Sequence, residues 1–411
     1  MPAFLRPGQP VWHALLHLQL AFCFLAVPPL AVLLPHWTIV WYYGGVVGLP
    51  LAAWLALGQR PGLAAGLLWP LVLLFLWGAV TVAWTPADRP LALWLALRTL
   101  TTVGAAFLLL DFCRRLPPAV AGRARPWALP GLALAAALLV LEHSTHLGLT
   151  SLISGEEFGG PRWADRLNRG ALAVLLHAFA PALLLWLGRR RAAAAALLAG
   201  ALLLVSFYRS ETTLAAGVLA LVTLAVALRR PASAARLFFW VGAAALLLPL
   251  PAALLLEAAG LQQAAWLDVT ARARVQIWSF AAERILERPL LGWGLDAADA
   301  LPNFGVQPLL PYEERVIPIH PHNGGLQLWL ELGLPGLLLG LLAWRRAAGA
   351  AAALPPAARA FLYAAAAALL LAQSLSFGLW QSRWLAFAFT ILLQLRLLVR
   401  AQELGNTDRE L

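Results

Sequence analysis

About twelve mostly apolar runs follow one another along the chain, near 11–34, 38–57, 63–84, 91–112, 127–142, 170–188, 192–208, 212–228, 237–257, 323–344, 357–379 and 383–400. A helix needs about 20 such residues to cross the hydrocarbon core of a bilayer. The fold class that follows is an all-α polytopic membrane protein with about twelve transmembrane helices, forming a single integral membrane domain over 1–411. The first run is too long for a signal-peptide core and lacks a clear small-residue cleavage site, so it reads as an anchor. Composition agrees: 62% of the residues are hydrophobic and 12% charged. Soluble domains carry about 45–50% apolar and about 25% charged residues, so a soluble enzyme is excluded. The two cysteines, Cys23 and Cys113, fall in or beside apolar runs, so no disulfide framework is expected.

Orientation follows from arginine, which supplies all 30 basic residues. Eighteen of them lie on one side: Arg6, Arg60, Arg114, Arg115, Arg123, Arg125, Arg189 to Arg191, Arg229, Arg230, Arg236, Arg345, Arg346, Arg359, Arg396, Arg400 and Arg409. Short loops rich in arginine face the cytoplasm, so both termini are expected inside, which requires an even number of spans. The opposite side holds two longer segments, 143–169 and 258–322, the second before the tenth span. Arg162, Arg166, Arg169, Arg209, Arg272, Arg274, Arg284, Arg288 and Arg315 lie there, and Arg89 and Arg383 sit at other outer span ends. Arg98 falls inside the fourth span. Guanidinium groups on the outer side have no orienting role; as a set they suit an anionic ligand. Some are expected to pair with Glu283, Glu287, Asp296, Glu313 and Glu314 as ordinary loop ion pairs.

Two stretches carry the polar chemistry. From Ala271 to Glu287 the apolar residues Val275, Trp278, Ala282, Ile285 and Leu286 recur at helical spacing, which predicts an amphipathic helix over the outer membrane surface. Pro289 ends it, and Gly292 and Gly294 predict a turn. Arg274 stands one turn before Trp278 and can point at the mouth of the bundle. The second stretch is Pro-Ile-His320-Pro-His322-Asn323, followed by Gln327 and Glu331. Asn323, Gln327 and Glu331 are spaced by four and form one polar stripe at the start of span ten. An ionisable group in a span is a functional-site candidate; the alternative is that Glu331 bonds a neighbouring span and positions it. His320 and His322 could bind metal as an H-x-H pair, but no third ligand stands nearby. The sharper alternative to an interfacial role is a general base, since neutral imidazole is poised near pH 7.

The pattern Pro-His-Asn-x-x-Leu-Gln-x-x-x-Glu-x-Gly-x-x-Gly, preceded by Arg-x-x-x-Trp and Pro-Leu-Leu-Gly-x-Gly, resembles the O-antigen ligase and polymerase family. The resemblance implies a GT-C-like membrane glycosyltransferase of the bacterial inner membrane, with its active site facing the periplasm. It implies three catalytic residues: His322, with His320 the fallback; Arg274, with Arg272 a close rival; and Arg209, in Arg-Ser-Glu-Thr. Arg169, in Arg-Leu-Asn-Arg-Gly, resembles a further motif of the family. With Arg272, His320, Asn323, Gln327 and Glu331 it is expected to bind substrate.

The implied reaction moves a glycan from undecaprenyl pyrophosphate to an acceptor hydroxyl, inverting the anomeric centre. His322 would take the hydroxyl proton. Arg209 and Arg274 would hold the diphosphate by charge-assisted hydrogen bonds. No metal and no other cofactor is expected, because arginine supplies the positive charge and the first outer loop, Pro35 to Trp37, lacks an acidic pair. The implied partners are the lipid-linked donor, lipid A-core or another glycan as acceptor, and membrane lipids; nucleic acid is not among them. A ligase is the leading expectation and a Wzy-type polymerase, which uses the same donor, the alternative. A protein-glycosylating member would be expected to carry a large soluble domain after the last span. A flippase for an anionic lipid would also want arginines in a cavity, but it predicts internal repeats, and no repeat is visible.

Overall fold

The computed structural model describes residues 8–60, 62, 65–155, 161–208 and 210–403. Among them every regular element is helical. Among the described residues nine helices are long and apolar enough to cross a membrane: α1 (Pro10–Leu33), α2 (Pro35–Leu57), α4 (Arg89–Arg115), α5 (Pro118–Ser144), α6 (Trp163–Leu187), α8 (Glu211–Arg229), α12 (Gly324–Ala352), α13 (Pro356–Leu375) and α14 (Ser382–Gln402). Helices α9 (Pro231–Leu247) and α10 (Pro249–Ala258), which meet at 56°, are long and apolar enough only when taken together, as a broken span or a re-entrant pair. Two shorter apolar helices, α3 (Trp69–Trp84) and α7 (Arg191–Ser206), complete the set. Each of the twelve apolar runs is therefore a helix, but α3 and α7 fall short of a full span among the described residues. The remaining long helix, α11 (Val269–Glu287), lies in the segment between α10 and α12.

The helices break where the sequence denies them hydrogen bonds. Pro28 and Pro29 lack the amide hydrogen an α-helix needs, and α1 widens to a π-turn over Phe22–Ala26 just before them. Pro249 divides α9 from α10 in the same way. The largest buried core gathers α1, α2, α5, α6, α8, α13 and α14, with Tyr42, Phe24, Phe179, Phe361 and Tyr363 among its fully buried side chains. Two smaller cores flank the site. One joins α10, α11 and the start of α12; the other joins α3, α4, Leu295, α12 and Trp380.

Contacts between helix ends respect the expected alternation. At one end Arg115 donates to the carbonyl of Arg60, Arg400 to Leu116 and Arg125 to Ala401. At the other, the turn at His36 meets Arg169 and Arg383, and the segment after α11 meets the end of α3 and the turn between α13 and α14. α11 is longer than the pattern predicts, because Asp268 caps it by accepting from the amides of Thr270 and Ala271. It buries Val275, Ile277, Phe280, Ala281, Ala282 and Ile285 against α10, α12 and the following loop. Leu286, expected on that face, is 56% exposed; the buried stripe is centred on Ile277 and Ala281 instead.

Candidate active site

The site is organised around a deliberate break in α12. Gly333 adopts φ 63°, ψ −161° inside the helix, and Pro335 follows. Pro335 has no amide hydrogen for the Glu331 carbonyl, and the turned backbone takes the Leu334 amide away from Leu330. Backbone groups left unpaired inside a membrane are costly. The segment after α11 supplies the replacements: Trp293 donates to the Leu330 carbonyl at 2.8 Å and Gly294 to the Glu331 carbonyl at 2.9 Å. The Leu334 amide turns outward to the carbonyls of Pro289 and Leu290 at 3.0 and 3.2 Å. The Trp77 indole covers the Leu332 carbonyl at 2.8 Å. Gly292, at φ 68°, passes so close that a Cβ there would lie 2.6 Å from the Glu331 carbonyl oxygen. A Cβ on Gly333 would lie 2.4 Å from the Leu290 oxygen. The Pro-Leu-Leu-Gly-Trp-Gly stretch is thus a splint for the broken helix.

The polar stripe at the start of α12 is occupied by protein partners. Asn323 is the helix cap, accepting from the amides of Gly325 and Leu326. Gln327 accepts from the Leu379 amide at 2.7 Å and donates to Glu331 at 3.0 Å. Glu331 is fully buried; its second oxygen accepts from the Asp296 amide at 2.8 Å and the Trp380 indole at 2.7 Å. With both oxygens engaged and no exposure, Glu331 cannot touch a substrate in this arrangement. Its geometry is that of a group positioning the loop at Asp296 and the turn at Trp380; the buried Gln327 is engaged in the same way, and Asn323, half-buried, caps the helix.

The two histidines sit where this splint meets the turn between α13 and α14. His320 is 4% exposed. Its Nδ1 accepts from the His322 amide at 3.1 Å, and its Nε2 lies 3.1 Å from the Gln381 side chain. An accepting Nδ1 puts the proton on Nε2, which faces the Gln381 side-chain amide. Gly378 lies against the ring, with room for no more than a hydrogen: an added Cβ would approach to 2.8 Å. His322 stacks obliquely on His320 with centroids 4.4 Å apart. Its backbone is held at φ 51°, and its Nδ1 is buried without a hydrogen-bond partner. The Trp278 indole ties the preceding Pro321 carbonyl to α11 at 3.0 Å. Burial, then the charge of His322, pushes the pKa of His320 down to about 3. His322 is lowered as well, first by burial and then by the guanidinium of Arg274, against a smaller opposing contact from the Ser376 backbone. Both rings are neutral at pH 7.

The arginines of this face divide by environment. Arg284 pairs with Glu283 and Glu287, each at 3.0 Å, and Arg288 stacks on Trp293 at 3.9 Å; these are ordinary loop contacts. Arg274 is half-buried beside His322, and no ion pair among the described residues involves it. Arg272, two residues away on α11, has a buried Nε without a partner. Arg209 lies outside the described residues. Arg169 is exposed and stands 3.5 Å from His36. Arg98 is not buried in its span, as the sequence suggests: it is exposed, and its charge bears on Asp296 and Arg383. Beside this point a cavity of about 290 Å³ is lined by Asp88, Asp296, Asp299, Arg315 and Pro318 among others. Burial, then the charge of Asp299, raises the pKa of Asp296 to about 6, with Arg98 opposing.

Sequence reasoning missed the turn from Ser376 to Gln381, which braces His320, Gln327 and Glu331 at once. It also missed His36 and Asp296 as members of the site face. No local pattern marks them, because each acts on a partner far away in the chain.

These features define an all-helical polytopic membrane protein with a polar centre at one end of its bundle. Residues 194–341, which contain Arg274, both histidines and Glu331, match the O-antigen ligase family. Curated relatives agree: a "Putative polysaccharide ligase" of Rickettsia conorii is 29% identical over 135 residues, and one of Rickettsia prowazekii is 30% identical over 135 residues. Each alignment covers 32% of this chain and 33% of the relative, so the chain spans about a third of the length of the curated relatives it matches. No solved structure matches. The matches support an O-antigen ligase-like family for this chain.

Proposed function

We propose that this protein is a glycosyltransferase that moves a glycan from undecaprenyl pyrophosphate to an acceptor hydroxyl, with lipid A-core as the acceptor. The active face looks into the periplasm from the inner membrane. The observation that carries the reading is His322. Its ring is neutral, its Nδ1 has no partner, and it lies beside Arg274 within the segment that matches O-antigen ligases. A buried nitrogen without a donor calls for one, and the acceptor hydroxyl supplies it. His322 takes that proton as the oxygen attacks the anomeric carbon, which inverts. Arg274, with Arg272 two residues before it on α11 and Arg209, which precedes α8 in the sequence, holds the departing diphosphate as its charge grows. His320, Gln327 and Glu331 position these groups rather than react. Guanidinium charge takes the place of a metal ion in this scheme.

The test is transfer from a lipid-linked glycan to lipid A-core by the purified protein. His322→Ala should lower the rate about 10²–10⁴-fold, the range for loss of a positioned general base. Full transfer by that variant overturns the reading, and so does movement of the lipid across the bilayer without transfer. Chain extension in place of capping of lipid A-core would make the protein a polymerase.

A further inference from the structure

The cavity beside Asp296 takes no part in that scheme, and its walls differ in sign from the arginines around it. It encloses about 290 Å³ where the start of α4 meets the loop after α11. Asp88, Asp296 and Asp299 bring carboxylates to it, Arg315 a guanidinium, and Leu91 and Pro318 apolar surface. Asp88 spends one oxygen on the cap of α4, accepting from the Leu91 amide at 2.9 Å. Arg315 acts electrostatically on Asp299, and Arg98 on Asp296. Among the described residues, though, none of these five charges forms an ion pair. Groups of both signs are thus held around a cavity without closing on each other. The frame that holds them is firm: the Asp296 backbone stands at φ 63°, and its amide is tied to Glu331 at 2.8 Å.

This chemistry selects its ligand. Three carboxylates repel a phosphate. A metal ion needs several ligating groups together, and among the described residues no three of His, Cys, Asp or Glu stand close enough to hold one. Separated acceptors and a donor around a partly apolar cavity suit a compact ligand that donates and accepts at neighbouring positions. A sugar ring does both: its hydroxyls donate to carboxylates and accept from guanidinium, while its C–H faces lie on apolar side chains. We propose that this cavity binds one sugar ring of a glycan, with Asp296, Asp299 and Arg315 reading its hydroxyls. A ring without the matching hydroxyls leaves these groups unpaired, so the three residues set specificity. Pro318, in the cavity wall, stands two residues before His320. The inference deepens the proposed function and rests on it for the carrier: the ring arrives on the lipid-linked donor or on the acceptor.

Binding to the full chain in detergent tests this with three probes: a glycan-bearing undecaprenyl diphosphate, lipid A-core, and undecaprenyl diphosphate without sugar. Asp296→Asn, Asp299→Asn and Arg315→Gln should each weaken binding of one sugar-bearing lipid about tenfold, as expected for one lost charge-assisted hydrogen bond. The lipid affected names the carrier. Sugar-free undecaprenyl diphosphate should bind no more weakly to the variants than to the wild type. Asparagine keeps the size of aspartate and tolerates the left-handed backbone at 296; Arg315 is exposed, so its replacement serves if either asparagine variant fails to fold. In the transfer assay the variants should raise KM for that reactant more than they lower kcat. Wild-type affinity for both sugar-bearing lipids in Asp296→Asn/Asp299→Asn and in Arg315→Gln, or an equal loss for the sugar-free lipid, overturns the proposal. A wild type that binds the sugar through these residues but transfers nothing would sink the transferase reading and leave the sugar site standing.

Discussion

At the scale of single residues, the two imidazoles make pH the most informative variable. The unperturbed histidine pKa is about 6.5, and His322 lies below it through burial and the charge of Arg274. Its neutral, basic form therefore persists into acid. The pH–rate profile for transfer should be flat above about pH 6.5 and fall only below it, as His322 becomes protonated. Removing the Arg274 charge lets His322 protonate more easily, so the residual activity of Arg274→Gln should lose its acid limb at higher pH than the wild type. His320 makes a separate prediction about stability. Its folded pKa is about 3, against about 6.5 when unfolded, so the unfolded chain binds the proton first. Stability from this group is fully present above pH 6.5 and is lost as pH falls toward 3. Thermal unfolding across that window should show a steeper acid decline than in His320→Gln. The pair itself was legible in the sequence as His320-Pro-His322. Its bracing was not, because Gln381 and Ser376 lie more than fifty residues downstream and nothing near them announces a partner.

At the scale of elements, apolar periodicity was enough to find each helix, since a span declares itself by length alone. The break in α12 was not read, although Gly333 and Pro335 stand in the sequence; what they require is a second strand of chain to satisfy the freed carbonyls. The motif Pro-Leu-Leu-Gly-Trp-Gly is that strand, and its meaning is structural before it is chemical. Gly333→Ala would force a side chain into a left-handed residue against the Leu290 carbonyl, at a cost of about 1–3 kcal/mol or more. Glu331→Leu would strand the Asp296 amide, the Trp380 indole and the Gln327 amide, at about 1–3 kcal/mol for each group left unpaired. Both variants should unfold at lower temperature. Glu331→Gln, which keeps an acceptor oxygen, should recover most of the loss. A normal melting temperature in Glu331→Leu, with activity gone, would return Glu331 to the list of groups that meet substrate.

At the scale of the molecule, the arginine distribution predicts topology. Cys23 and Cys113 are both fully buried, so a membrane-impermeant maleimide should leave the wild type unlabelled in intact cells. Glu314→Cys, at an exposed position on the site face, should label from outside. Arg345→Cys, exposed at the opposite end, should label only after the membrane is opened; the reverse pattern would invert the orientation. The sequence could divide arginines by side but not by partner. It left Arg98 stranded in a span, whereas folding carries that residue to Asp296 and Arg383. The turn at Gly378, Trp380 and Gln381 has one more consequence. The stretch that resembles O-antigen ligases ends at residue 341, yet its histidine and carboxylate are gripped by residues that lie beyond it. The recognisable part is therefore not a transplantable cassette. Grafted onto another bundle, residues 194–341 would carry the candidate groups without the vice that aims them.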